Sequence, residues 1–161
     1  TLNITETRDN PIDLQQDDLV YHRESYFSGI TETIFYRDYN EYQGMCLATY
    51  EDTLFISEKT YKAIGFKHPF IVLGWPGTME YLRKTGDKTF HPYIDESYDT
   101  ETNDEIRYQK IVAEIKRLCA LSDEQWIEWQ ENIKPIVEHN FNLLVTKTKF
   151  HQIQDFEKLM G

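Results

Sequence analysis

Four residues in the middle of the chain, Ser57, Glu58, Lys59 and Lys62, have the chemistry to bind a phosphorylated nucleoside. The two lysines supply positive charge, and the carboxylate of Glu58 can accept two hydrogen bonds from a ribose diol. A second interpretation is purely structural: Ser57 caps a helix, Glu58 favours the helix dipole, and the lysines are solvated. The spacing of these residues alone leaves both interpretations open.

The elements around these residues are predicted from local signals. The apolar stretch 54–56 indicates a strand, and Ser57 is a favourable N-cap for a helix over residues 58–66. The four apolar residues 70–73 predict a strand covered on both faces. Ligands of open α/β sheets gather at the carboxyl ends of strands, where the N–H groups of a helix start attract phosphate.

The same alternation continues downstream. A Pro and Gly turn over residues 74–77 leads into a predicted helix over 78–85, which Gly86 ends, and residues 88–90 predict another short strand. The order strand, helix, strand, helix, strand predicts parallel strands, because crossover connections are right-handed. The fold class is therefore α/β, a Rossmann-like half with a short parallel sheet.

The N-terminal third predicts fewer regular elements. Residues 1–18 are polar and acidic and predict a linker or arm, so that residues 19–161 form a single α/β domain. Residues 26–36 are rich in β-branched and aromatic types and predict a strand, with residues 19–21 as a further candidate. Residues 37–53 predict a loop that packs over a site.

The C-terminal third predicts helices over residues 103–160. Thr102 with Glu105, and Ser122 with Gln125, form capping-box patterns that open two long helices, and residues 143–160 predict a further helix. Trp126 and Trp129 fall on the apolar face of the second helix. They are either core residues or an exposed interface.

Composition restricts the class of partner. The 161 residues carry a formal net charge of -11, which disfavours nucleic acid and anionic membrane surfaces as partners. No apolar run approaches the length of a membrane span and no secretion signal is present, so a cytoplasmic location is expected. Cys46 and Cys119 lie far apart and predict ordinary reduced thiols, without a metal site. The first residue is Thr1, which suggests a processed product or a piece of a longer protein.

Several other residues are candidates for the same cleft. Arg37 follows the predicted strand over 26–36 and can bind a phosphate, although a loop arginine is more often solvated. Gly77, after Trp75 and Pro76, allows close backbone approach of a nucleotide base or simply forms a tight turn. His68 and His91 are candidate proton carriers by residue type, but each precedes a proline at an element boundary, which predicts turn or rim structure. The acidic loop 95–99 is either a solvated connection or a rim of the cleft.

A longer pattern adds to this interpretation. The run Ile56-Ser-Glu-Lys-Thr-Tyr-Lys62, followed by His68-Pro-Phe70 and Gly74, resembles the signature of fucosyltransferase-like and exostosin-like GT-B glycosyltransferases, including phage and bacterial members. The resemblance covers residues 25–98. It implies that Glu58 holds the ribose of a nucleotide-sugar donor, that Lys59 neutralises the diphosphate, and that Ser57 and the helix start contact phosphate.

The resemblance also implies a reaction and its limits. It implies metal-independent hexosyl or fucosyl transfer from a GDP-sugar or UDP-sugar, without a cofactor, and it leaves the catalytic residues unknown. Glu24 and Glu32 have the spacing of a glutamate pair in some retaining GT-B enzymes; chance explains this in so acidic a chain, although Glu32 could still face the cleft. A complete GT-B enzyme has two such domains, so the acceptor site would come from an N-terminal domain or a partner chain. The alternative is a non-catalytic interaction or structural module with a glycosyltransferase-derived fold.

Overall fold

The computed structural model describes residues 3–6, 16–36 and 53–147, and the side chains of residues 20–36 and 54–147. These ranges contain a mixture of short strands and longer helices. The strands are β1 Asn3–Glu6, β2 Ser28–Thr31, β3 Thr53–Ile56 and β4 Phe70–Leu73; the helices are α1 Gln16–Arg23, α2 Glu58–Gly65, α3 Thr78–Lys84, α4 Asp104–Cys119 and α5 Asp123–Lys147, with a 3-10 turn at Ser97–Thr100.

The four strands form two parallel pairs, β1 with β3 and β2 with β4. Asn3 lies opposite Thr53 in the first pair, and Ser28 lies opposite Phe70 in the second. The predicted α/β class with short parallel pairing is therefore confirmed. Strand β1 lies within the segment that the composition predicts to be a linker, so that segment contributes to the sheet structure.

The predicted elements from β3 to β4 are confirmed almost residue by residue, although the two strands belong to different pairs. Ser57 has extended backbone and its hydroxyl accepts a hydrogen bond from the Lys59 N–H at 3.3 Å, so it is the N-cap of α2. Helix α2 ends before Lys67, whose positive φ of 53° marks the turn toward β4. Strand β4 is buried along most of its length, as an apolar strand covered on both faces should be.

Two predicted strands are wrong. Residues 19–21 belong to helix α1. Residues 88–90 form a loop. In place of a neighbouring strand, the side chain of Asn140 bonds the backbone of Lys88: the Lys88 N–H donates to Asn140 Oδ1 and the Lys88 carbonyl accepts from Asn140 Nδ2, both at 2.7 Å. The predicted strand over 26–36 is also shorter than expected, since β2 covers only Ser28–Thr31.

The helical C-terminal third is confirmed with small changes. Asn103, not Thr102, is the N-cap of α4, because its side chain accepts from the Ile106 N–H at 3.0 Å. Ser122 and Gln125 form the predicted reciprocal capping box, at 2.9 and 3.3 Å. Helix α5 continues through Pro135 to Lys147, so the prediction of a separate helix that begins at residue 143 is wrong. Residues 148–160 of that prediction lie outside the described residues.

The core lies between the strand pairs and helices α2 to α5. Trp126 and Trp129 are both buried, and the indole N–H of Trp129 donates to the Tyr93 carbonyl at 3.1 Å. Of the two alternatives for this pair, the core position is the observed one. Phe70 of β4 and Phe90 pack edge to face with ring centroids 5.0 Å apart. Over the described ranges, the helices lack the combination of length and apolarity that crossing a membrane requires.

A buried arginine connects α4 to the residues that follow β2. Arg107 is 1% exposed, its Nη2 donates to the Phe35 carbonyl, and its guanidinium lies 4.2 Å from the centre of the Phe35 ring. Its Nη1 pairs with Asp104 at 2.8 Å. These contacts fix the chain just beyond Glu32, which is the first residue of the site described next.

Candidate functional site

Two strands end beside the first turn of helix α2. Glu32 directly follows β2, and Ser57 directly follows β3. Glu32 is 6% exposed, and its Oε1 accepts from the Ser57 N–H at 3.1 Å and from the Thr60 hydroxyl at 2.6 Å. The backbone N–H of Glu32 donates to the Leu73 carbonyl at 2.9 Å. One carboxylate therefore joins the ends of β2 and β3 to the start of α2.

A side chain in place of Gly74 would be crowded next to this carboxylate. A Cβ on Gly74 would lie 3.1 Å from a Val72 methyl group and 3.4 Å from the Glu32 Cβ. The second carboxylate oxygen of Glu32, Oε2, is buried and forms no hydrogen bond with the described residues. A buried acceptor without a partner is costly, so a donor group at this position would stabilise it.

Lys59 lies over the same junction. Its side chain is exposed, and its Nζ donates to the carbonyl of Thr31, the last residue of β2, at 3.0 Å. The ammonium group is therefore held at a strand end instead of extending into solvent. Glu58 is exposed beside it on the first turn, whereas Lys62 is half-buried one turn further along α2.

The predicted site residues are thus only partly brought together. Contacts join Ser57, Lys59 and Glu32, and Glu58 is their neighbour in the chain. Thr60 was missed as a partner of Glu32, although a hydroxyl three residues after an N-cap is a signal that the sequence offers. Arg37 lies outside the described residues.

Gly77 serves the start of α3 and not the junction at α2. It is the N-cap residue with a φ of 88°, and its N–H donates to the Asp99 carbonyl at 2.8 Å. The carboxylate of Asp99 accepts from the N–H groups of Met79 and Glu80 at 2.9 and 3.0 Å. Burial raises the pKa of Asp99, and these hydrogen bonds oppose that shift. The first turn of α3 therefore already holds an anion of the protein itself.

Two alternatives were predicted for the acidic loop 95–99, a solvated connection and the rim of a cleft. Neither describes the whole loop, because part of it is buried. Glu96 and Asp99 are buried, and Glu96 accepts from the backbone N–H groups of Phe90 and His91 at 2.7 and 3.2 Å. Its other oxygen pairs with Arg83 at 2.8 Å. These two carboxylates stabilise the fold around α3.

His68 has the structural role that its sequence position predicts. It is 6% exposed, with Nε2 2.9 Å from the Ser25 carbonyl and Nδ1 2.9 Å from the Ser28 hydroxyl. The ring of His22 lies edge-on to it, with centroids 5.0 Å apart. Burial lowers the pKa of His68 below its ordinary value of 6.5, and the neighbouring His22 lowers it further.

This pKa shift predicts a loss of stability in mild acid. A histidine whose pKa is lowered by folding binds its proton more readily in the unfolded chain, so its contribution is complete above about pH 6.5 and falls as the pH decreases through the folded pKa. We expect urea denaturation to give a smaller free energy of unfolding at about pH 5.5 than at about pH 7.5. His68→Gln should reduce this difference, and His91→Gln, at an exposed position, should preserve it. An unchanged pH dependence in His68→Gln would contradict the assignment.

Comparison with protein-family models, with curated proteins and with solved structures gave no match. Within residues 20–36 and 54–147, no group of three or more histidine, cysteine, aspartate and glutamate side chains is arranged to hold a metal ion.

Proposed function

We propose that this chain is a nucleotide-sugar-binding domain of a glycosyltransferase, with the Rossmann-like topology of one half of a GT-B fold. The observation that carries the proposal is the convergence of the ends of β2 and β3 on the first turn of α2, through Glu32, Ser57 and Lys59. Ligands of parallel α/β structures bind at strand ends of this kind. The resemblance of residues 25–98 to GT-B enzymes supports the same location.

In the proposed binding mode, a lysine binds the diphosphate of the donor and a glutamate carboxylate binds its ribose. Lys59 is exposed and fixed at the end of β2, where its positive charge would meet the diphosphate of the donor. The buried Oε2 of Glu32, or the exposed carboxylate of Glu58, would accept a hydrogen bond from a ribose hydroxyl. The net negative charge of the chain does not prevent this binding, because salt at physiological concentration screens electrostatic repulsion beyond about 8 Å.

The chemistry would be displacement of a nucleoside diphosphate by an acceptor hydroxyl. Positive charge near the diphosphate stabilises the negative charge that develops on the leaving group. The acceptor site and any catalytic base would come from a second domain or a partner chain, as the resemblance implies. This chain would then supply donor binding and leaving-group stabilisation.

Calorimetric titration with GDP, UDP and their sugars tests the proposal. We expect selective binding of one nucleotide, and Lys59→Ala should weaken it about tenfold or more, as expected when a charge-assisted hydrogen bond is lost. Lys84→Ala is the matched control, because Lys84 is an exposed lysine that pairs with the also exposed Glu80 one turn away on α3. Absence of binding by a folded protein, or equal weakening in both variants, would contradict the proposal.

A further inference from the structure

A second concave site lies away from the start of α2. A cavity of about 610 Å³ is formed by the last turn of α3, the loop that follows it, and one residue of α5. Its volume is in the range of small-molecule sites, which is about 300 to 1,000 Å³. Its lining residues are Arg83, Asp87, Lys88, Thr89, His91, Glu96 and Ile136.

The guanidinium of Arg83 is fixed in this cavity. Its Nη1 donates to Glu96 Oε2 at 2.8 Å and to the Thr89 hydroxyl at 2.9 Å. Its Nη2 lies 3.9 Å from the Asp99 carboxylate, beyond hydrogen-bond distance. The side chain is 44% exposed, and a guanidinium has five N–H donors, so Arg83 is accessible to a further acceptor.

The loop that completes the cavity is held at several points. Asn140 bonds both backbone groups of Lys88, and the Gly86 carbonyl lies 2.9 Å from the Nε2 atom of His139. Glu96 accepts from the backbone N–H groups of Phe90 and His91. The cavity is therefore preformed, which reduces the entropic cost of binding.

The groups that remain for a ligand are mainly donors. The carboxylate of Glu96 is buried and already accepts three hydrogen bonds, and that of buried Asp87 accepts from the Thr85 hydroxyl at 3.1 Å. Lys88 and His91, in contrast, are exposed at the cavity. The fixed guanidinium, the ammonium and the imidazole face the same space.

We propose that this cavity binds a small molecule that carries a phosphate group, with the phosphate between Arg83 and Lys88. A planar guanidinium binds phosphate oxygens in pairs, and lysine adds a second positive charge. Ile136 provides an apolar wall for the rest of the ligand. The site is separate from the residues of the proposed nucleotide site, so either proposal can fail alone.

Titration of ¹⁵N-labelled protein with inorganic phosphate, at constant ionic strength in chloride, tests this site. We expect saturable chemical-shift changes at the backbone amides of residues 86–91, and about tenfold weaker binding in Lys88→Gln. Lys84→Gln, with the same charge change at an exposed position outside the cavity, should bind as the wild type does. The exposed position of Lys88 makes it a safer variant than Arg83, whose ion pair with Glu96 supports the fold.

A Lys59→Ala variant separates this site from the proposed nucleotide site. It should retain the phosphate-induced shifts at residues 86–91 even where it loses nucleotide binding. The cavity proposal is overturned by shifts that are confined to residues 57–62, by shifts that do not saturate, or by equal affinity in Lys88→Gln and the wild type.

Discussion

Phe90→Ala is expected to lower the free energy of unfolding by about 3 to 5 kcal/mol, the usual cost of deleting a buried phenylalanine ring. Phe90 is 1% exposed and packs edge to face against Phe70 of β4, with an angle of 87° between the rings. Among the described residues no strand pairs with the loop at 88–90, so this ring, the Asn140 amide and the Glu96 carboxylate attach it to the core. Urea denaturation followed by circular dichroism measures the effect.

A double-mutant cycle with Phe70→Ala isolates the contact between the two rings. We expect a coupling free energy of about 0.5 to 1.5 kcal/mol, the range for aromatic pairs of this geometry. Tyr21→Ala is the matched control, since the Tyr21 side chain is 74% exposed and should change the stability by no more than about 0.5 kcal/mol. Additive effects of the two phenylalanine substitutions would show that the ring contact is energetically unimportant.

Glu96→Ala is expected to destabilise the protein by about 2 to 4 kcal/mol, because two backbone N–H groups, of which that of Phe90 is buried, lose their acceptor. Arg83 would lose its closest carboxylate at the same time. Glu96→Gln should be milder, since an amide keeps one acceptor oxygen. The free energy of unfolding from urea denaturation measures both variants.

Glu80→Ala is the control for Glu96. It removes a carboxylate that also forms an ion pair, with Lys84 at 2.6 Å, but both side chains are largely exposed. Exposed pairs contribute little, so the stability of this variant should stay close to that of the wild type. Similar losses in Glu80→Ala and Glu96→Ala would mean that the buried hydrogen bonds of Glu96 do not stabilise the loop.

The unit from β3 to β4 could be predicted because its signals are local. An apolar strand, an N-cap serine and a second apolar strand follow one another within residues 54–73, and each element forms where its own residues favour it. The loop at 88–90 could not be predicted in the same way. The backbone groups of Lys88 bond to the side chain of Asn140, which lies on a helix 52 residues away in sequence. Local sequence patterns do not predict a contact over that separation.

In the candidate site, too, the features set by local sequence were predictable and the contacts between distant residues were not. The rule that ligands gather at the carboxyl ends of strands predicted a position for Ser57 and Lys59. Glu32 was a candidate by its spacing from Glu24, but its contacts with Ser57 and Thr60 join residues that lie on two different strand pairs and are distant in sequence. The role of Asp99 as the anion at the start of α3 was not predictable, because it depends on the return of the chain twenty residues later. Gly77 consequently has a structural role that its place in a turn motif could not distinguish from ligand binding.

The alternation of strand partners has a consequence for synthesis of the chain. Strand β1 pairs with β3 and β2 pairs with β4, so β1 lacks its partner until β3 has been translated, and β2 lacks its partner until β4 has been translated. Until then, β1 and β2 carry unpaired edges, which favour association between nascent chains. A translation product that stops before residue 53 can form neither pair, and one that stops before residue 70 can form only the first.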